Sequence, residues 1–388
     1  MCPQRTVNGS EDCLYLGLYG RPWARGAPLR PVVVTFYGGG FIQGSASFGV
    51  PPSAYPILNA SDAGDMLFVY PNYRVNAFGF LAGREVAADP LSDANAGLLD
   101  QAMALRWARR HAAAFGGDPG RITIWGQSAG GGSVLAQVVA DHGREGPPFR
   151  QALASSPFWP KTYGALDPGA QWRYDALANL TGCAGPRSLA CLKGADVQAI
   201  RDASLAIVDS QKYGRSTFGW GPVIDGVFLR ERLSTATTTT TTTTTRQRGA
   251  VVAGYAMYNT HEGENFVPPA LKEDADGGTS TTSFDQWVDG YLPMLSRASV
   301  ERLKELYPEV GSTELIASYS DSFTRAGLVY RDSTLACPAY WMAGSARNGS
   351  WLGEYTIAPA QHASDVYWVC AIKNRANYSL YLAVGTVR

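Results

Sequence analysis

The sequence predicts an α/β protein with a mainly parallel central sheet and helices on both faces. Three observations carry that expectation. Pro31–Tyr37 (PVVVTFY) and Asp65–Asn72 (DMLFVYPN) are continuous β-branched and aromatic runs, the pattern of strands buried on both faces. Asn95–Ala114 has helical spacing, with Leu98, Leu99, Ala102, Leu105 and Trp107 as candidate core contacts. Ile122–Ser133 (ITIWGQSAGGGS) then runs from a short strand through a Gly-rich turn into the helix-compatible segment SVLAQVVA. Strand, helix, strand, helix in succession is the order of a parallel sheet.

The remaining elements follow in order. SEDCLYLGLYG closes the N-terminal segment as a strand-like run, and Ser45–Asp65 reads as a loop rich in Ser, Pro and Ala. FGGDPGR reads as the turn into the strand of the Gly-rich motif, and Phe149–Ser155 as a further short strand. Trp172–Ile207 is mostly helical, interrupted by the cysteine loop GCAGPRSLAC. Nine consecutive threonines, Thr237–Thr245, lie in a low-complexity stretch at 235–245 that can pack no core and carries no chemistry. Gly249–Tyr255 resumes the sheet, Ser283–Leu295 and Arg297–Tyr307 read as surface helices, and Trp351–Ile357 as a late strand.

Length and composition bound the function. The chain has 388 residues, 45% of them hydrophobic, enough for a sizeable core in one α/β domain spanning 1–388. Lys+Arg and Asp+Glu both number 33, so there is no basic field to attract nucleic acid. No apolar run reaches the roughly 18 residues of a membrane span. The N-terminus, MCPQRTVNGSEDC, lacks the apolar region of a signal peptide. Six cysteines occur, with Cys2 close to Cys13 and Cys183 close to Cys191. Metal binding is the competing reading of these cysteines, but no C-x-x-C or Cys/His cluster exists and no metal is expected. Five N-x-S/T sequons, at Asn8, Asn59, Asn179, Asn348 and Asn377, join the paired cysteines in pointing to a secretory, oxidising compartment and to N-glycans. An N-terminus missing its signal peptide reconciles the two sets of observations.

The chemistry starts at Gly126-Gln127-Ser128-Ala129-Gly130. G-x-S-x-G between a strand and a helix is a nucleophile elbow, in which small residues let strand and helix pass closely and the serine hydroxyl rises above the carboxyl edge of the sheet. A serine alcohol needs a base, and the base needs an acid that fixes its tautomer. The order expected for an elbow of this type is serine, acid, histidine. His111 precedes Ser128, His142 ends the elbow helix, and His261 abuts the candidate acid. His362, in a loop after the last predicted strand, is the candidate base. Glu262, just after GAVVAGY, is the candidate acid, with Glu264 and Asp225 as alternatives. The glycines after PVVVTFY can aim N–H groups at a developing oxyanion, so Gly39, Gly40 and Ala129 are the candidate donors. No cofactor is implied, and the partner is a small-molecule ester.

SEDCLYL, TFYGGGF, NYRVNAFGFL, NAGLLDQAMALRW, FGGDPGRITIWGQSAGG, NTHEGENFVPP and PAQHASDVYW together resemble the type-B carboxylesterase/cholinesterase family, in particular its fungal secreted members. The resemblance runs from about residue 10 to 369. It implies an α/β-hydrolase fold and a Ser128–Glu262–His362 triad, with Gly39, Gly40 and Ala129 as oxyanion donors and Ser156 as a second serine near the acid. It also implies disulfides Cys2–Cys13 and Cys183–Cys191. One departure is Gln127 where the family usually has Glu, which leaves the nucleophile intact; absent N-terminal strands and an atypical tail at 370–388 suggest a truncated chain. The short Cys2–Cys13 loop has no tryptophan, so the resemblance implies a general esterase rather than a choline-ester specialist or an interfacially activated lipase. Two other outcomes are a non-catalytic binding or adhesion protein on the same scaffold and an inactive truncated esterase.

Overall fold

The computed structural model describes residues 1–46, 54, 57–58, 61, 66–210, 214–238, 251–272, 281–346, 349–366 and 383–386. Eight strands form one sheet in the order β1-β3-β2-β4-β5-β6-β7-β8. They are β1 (Leu16–Tyr19), β2 (Arg30–Phe36), β3 (Leu67–Pro71), β4 (Gly117–Gln127), β5 (Gln151–Ser155), β6 (Ala253–Asn259), β7 (Ser350–Tyr355) and β8 (Ala383–Thr386). The strands from β3 to β7 are mutually parallel, while β1 and β8 close the two edges antiparallel. The parallel core explains the unbroken apolar runs. Val32, Val34 and Phe36 of β2 and Ile122 and Ile124 of β4 are all buried, because helices cover the sheet.

The long helices are α1 (Ala96–His111), α2 (Ala129–Val139), α3 (Pro168–Leu180), α4 (Ser188–Gly194) and α5 (Val197–Ser210). Later in the chain come α6 (Phe284–Tyr291), α7 (Arg297–Leu306), α8 (Ser322–Arg331) and α9 (Cys337–Ala343). Every residue of α2 is buried, since it runs through the middle of the molecule against β4 and β5. Truncating a large aliphatic there, such as Leu135, costs roughly 2–5 kcal/mol in comparable cores. Among the described residues no helix is long and apolar enough to cross a membrane.

Several expectations need correction. FGGDPGR is not simply a turn: Gly117 already pairs with Arg30, and the ladder slips before Val32 meets Ile122. The intervening Asp118–Arg121 segment bulges, with Asp118 accepting from Gly120 N–H at 2.8 Å and from Arg121 Nε at 2.7 Å. The strand expected at Gly249–Tyr255 is Ala253–Asn259, shifted because the ladder is set by pairing with β5 and β7. The elbow helix ends at Val139, before His142, and the cysteine loop already contains the start of α4. Helix α6 is amphipathic rather than superficial, burying Phe284, Trp287, Val288 and Tyr291. Most of the threonine run, the tail outside β8, and Asn59, Asn348 and Asn377 lie outside the described residues.

Disulfides link Cys2 to Cys13 and Cys183 to Cys191. The first closes a loop that braces the glycine loop after β2. Gln4, buried within it, donates to Gly44 O at 2.8 Å and accepts from Gly44 N–H at 2.7 Å.

Candidate active site

The register of the sheet aligns five carboxyl ends on one edge. Phe36 pairs with Gly126, Gln127 with Ser155, Ser155 with Met257, and Asn259 with Tyr355. The residues that follow these ends are the glycine loop, Ser128, Ser156, Glu262 and, beyond β7, the loop bearing His362. Chain segments far apart in sequence therefore arrive together because every strand between them points the same way.

Ser128 has φ 58° and ψ −127°, a conformation that L-residues with a side chain rarely adopt. Three backbone hydrogen bonds of 2.9 Å hold it there: its N–H donates to Ser155 O, and its carbonyl accepts from Gly132 and Phe158. The close approach explains the glycines. A Cβ at Gly126 would lie 2.2 Å from Gly130 O, and one at Gly130 would lie 2.1 Å from Phe36 O. Ala129 opens α2, so its N–H belongs to the first turn, where backbone donors have no partner within the helix.

Glu262 starts a single 3₁₀ turn, Glu262–Phe266, just past β6. Its side chain is fully buried. Oε1 accepts from the backbone N–H of Asn259 at 3.0 Å, and Oε2 lies 2.8 Å from Nδ1 of His362. His362 is fixed from two more sides. Its backbone N–H donates to Asn265 Oδ1 at 2.9 Å, and its ring meets Phe266 edge-to-face at 4.9 Å. Nε2 of His362 faces the elbow, 3.2 Å from Nε2 of Gln127. Among the described residues Ser128 Oγ makes no hydrogen bond.

Gly39 and Gly40 have φ values of 113° and 64°. The loop is pinned by Ile42 and Gln43, whose N–H groups donate to Gly39 O at 3.1 and 3.2 Å. Neither the Gly39 nor the Gly40 N–H donates a hydrogen bond among the described residues. A Cβ at Gly40 would lie 2.2 Å from the Phe218 ring, so an aromatic face packs directly against this backbone. Phe218 in turn contacts Phe158 and Phe266, with centroids at 4.8 and 5.8 Å.

Ser156 is buried with φ 46°, and it reaches Glu262 only through an intermediary. That intermediary is Asn259, whose Nδ2 donates to Ser156 Oγ at 2.9 Å, to Asp365 Oδ1 at 3.0 Å and, more weakly, to Glu262 Oε2 at 3.4 Å. Burial, reinforced by the charge of Glu262, pushes the Asp365 carboxyl above its usual range, against the Asn259 hydrogen bond. Sequence reasoning missed Asn259 and Asp365. The available signal was a polar residue at the last position of a buried strand and a carboxylate three residues after the candidate base.

The alternatives are engaged elsewhere. Glu264 Oε1 lies 2.9 Å from His261 Nδ1, and Asp225 Oδ1 accepts from the N–H groups of Val227, Phe228 and Leu229. His142 Nε2 bonds Gln137 O at 2.8 Å, and burial lowers the affinity of its ring for a proton. His111 is exposed and packs beside Trp107.

Residues 2–369 match the carboxylesterase family. The chain is 30% identical over 368 residues to carboxylesterase patB of Penicillium expansum, covering 92% of this chain and 61% of that protein. It is 29% identical over 359 residues to lipase 2 of Geotrichum candidum, covering 88% of this chain and 61% of that protein. The chain thus spans about three-fifths of the length of these curated relatives. Its fold is similar to the crystal structure of Aspergillus niger EstA, with a TM-score of 0.75 and 26% identity over 98% of this chain and 72% of that one.

Proposed function

We propose, since the chain belongs to the carboxylesterase family, that it hydrolyses carboxylic esters through an acyl-serine intermediate. The observation that carries this reading is the 2.8 Å contact between Glu262 Oε2 and His362 Nδ1 at the sheet edge where the Ser128 elbow emerges. Ser128 Oγ attacks the ester carbonyl carbon while its proton passes to Nε2 of His362. Glu262 steadies the imidazolium that results. The carbonyl oxygen becomes an oxyanion and takes N–H groups from Gly39, Gly40 and Ala129. The bond to the alcohol oxygen then breaks, and His362 returns the proton to the departing alkoxide. Water, deprotonated by the same histidine, attacks the acyl-serine and releases the carboxylic acid and free Ser128. Losing one oxyanion donor in comparable enzymes costs roughly 10²–10³ in turnover.

Ser156 acts behind Glu262, through Asn259. The substrates are small-molecule esters, and Phe218, backed by Phe158 and Phe266, packs directly on the backbone of Gly40 beside the proposed donors. Secretion fits the two disulfides and the exposed sequon asparagines Asn8 and Asn179, which are the proposed N-glycan sites within the described residues. The test is turnover of p-nitrophenyl acetate and butyrate by the wild type and by Ser128→Ala. Loss of turnover in the variant supports the reading. Equal rates in both proteins reject it, and a folded wild-type protein that takes no fluorophosphonate label at Ser128 favours a binding module on this scaffold.

A further inference from the structure

His362 has two ring nitrogens, and the structure gives each a neighbour that is not Ser128. Nδ1 faces Glu262 Oε2 at 2.8 Å. Both oxygens of that carboxylate already accept hydrogen bonds from Asn259, from its backbone N–H and from its side-chain amide. Nδ1 therefore carries the proton and donates it. In a neutral imidazole Nε2 is then a lone pair, which can only accept. The group it meets is the side-chain amide nitrogen of Gln127, at 3.2 Å. An amide N–H donating to a ring lone pair is a satisfied contact, whereas an amide N–H facing an imidazolium N–H is a repulsive one.

We infer that Gln127 is a positioning residue that holds His362 in the Nδ1–H form, with its Nε2 lone pair turned to the elbow, and disfavours the imidazolium until substrate arrives. The inference rests on the proposed esterase reading and extends it to the control of the base. Gln127 is buried, so water does not relieve the contact. The other charged and titratable groups around the ring come from different sides. Glu262 lies on the loop after β6, and Asp365 follows on the loop of His362 itself. Among the described residues, the one hydrogen-bonding contact of Nε2 is Gln127. Proton transfer then requires Ser128 Oγ to take over from the amide at Nε2, because one lone pair cannot accept from both.

The test combines two isosteric variants with one measurement on the wild type. The pH profile of kcat/KM for p-nitrophenyl butyrate is compared among wild type, Gln127→Met, Gln127→Glu and Ser128→Ala. Removing the donor moves the acid limb to higher pH in Gln127→Met. Placing a carboxylate beside Nε2 moves it further in Gln127→Glu, by about one pH unit. Acid limbs that coincide in all three active proteins overturn the inference while leaving the esterase reading intact. Undiminished activity in Ser128→Ala overturns both. Should the variants fold poorly, the ¹⁵N spectrum of the wild-type histidines, with His362 assigned by its loss in His362→Gln, reads the tautomer directly. A protonated Nδ1 and a bare Nε2 at neutral pH are expected, and a protonated Nε2 overturns the inference.

Discussion

Glu262 and His362 are separated by a hundred positions in the chain, and their Oε2 and Nδ1 atoms meet at 2.8 Å with the carboxylate sealed from solvent. Water does not compete for that hydrogen bond, so it orients the ring with little loss to screening. Glu262→Gln keeps the shape of the side chain but can present a donor to Nδ1 and stabilise the wrong tautomer. Its kcat on p-nitrophenyl butyrate is expected to fall by about 10³–10⁴ with little change in KM. Steady-state kinetics check this, and a fall of less than tenfold contradicts the assignment of Glu262 as the acid.

Asn259 ties together three buried side chains, donating to Ser156, Asp365 and Glu262. Asn259→Ala strands the first two without a donor in a site closed to water. Each orphaned buried group costs about 1–3 kcal/mol, so the variant is expected to lose at least about 2 kcal/mol of stability. Urea unfolding monitored by tryptophan fluorescence measures the loss, and an unchanged midpoint contradicts the bridging role.

Asp365 Oδ2 is buried and has no hydrogen-bond partner among the described residues. Burial raises the carboxyl above its ordinary range in the folded state. The folded protein therefore holds this proton to higher pH than the unfolded chain does. The stabilising contribution is complete below the unfolded value and disappears as pH climbs through the raised folded value. The stability difference between wild type and Asp365→Asn is expected to favour wild type most at acidic pH and to shrink as pH rises. Denaturation of both proteins from pH 4 to 8 tests it, and a constant difference contradicts it.

Much of this site was legible in the sequence, and the reason is local. The elbow needs a particular run of small residues around Ser128, because a Cβ at Gly126 or Gly130 collides with backbone. The glycine loop after β2 likewise needs positive φ at consecutive residues. His362 was reachable because only four histidines exist and three lie at unsuitable points in the chain. What escaped notice depends on tertiary meeting. Asn259 reads as an ordinary strand end until Ser156 and Asp365 converge on its amide. Helices α8 and α9 were not foreseen because their pattern is broken by the π-turn Asp332–Ala336 and by Pro338. Gly327 also breaks it, lying so close to Gly263 that a Cβ there would stand 1.8 Å from the Gly327 carbonyl oxygen. The bulge at Asp118–Arg121 looked like a turn because Gly, Asp and Pro are turn formers, yet the flanking residues still pair with β2.

Phe218 packs on Gly40 and touches Phe158 and Phe266. Trimming it in Phe218→Ala opens space beside the proposed oxyanion donor, and the proposed reaction brings the acyl chain of a substrate to that space. The ratio of kcat/KM for p-nitrophenyl hexanoate over acetate is expected to rise at least about tenfold, the lower end of what a single methylene is worth in an apolar pocket. Kinetics on the two esters decide it, and an unchanged ratio contradicts the view that this ring limits acyl length.

The most direct test of the account is covalent. Wild type and Ser128→Ala are exposed to a fluorophosphonate, and the adduct is located by intact-mass and peptide mass spectrometry. A single adduct on the peptide containing Gly126–Gly130, absent in Ser128→Ala and slowed in His362→Gln, is the predicted result. A wild-type protein that folds yet takes no label at Ser128, or a variant that is labelled equally at another residue, contradicts it.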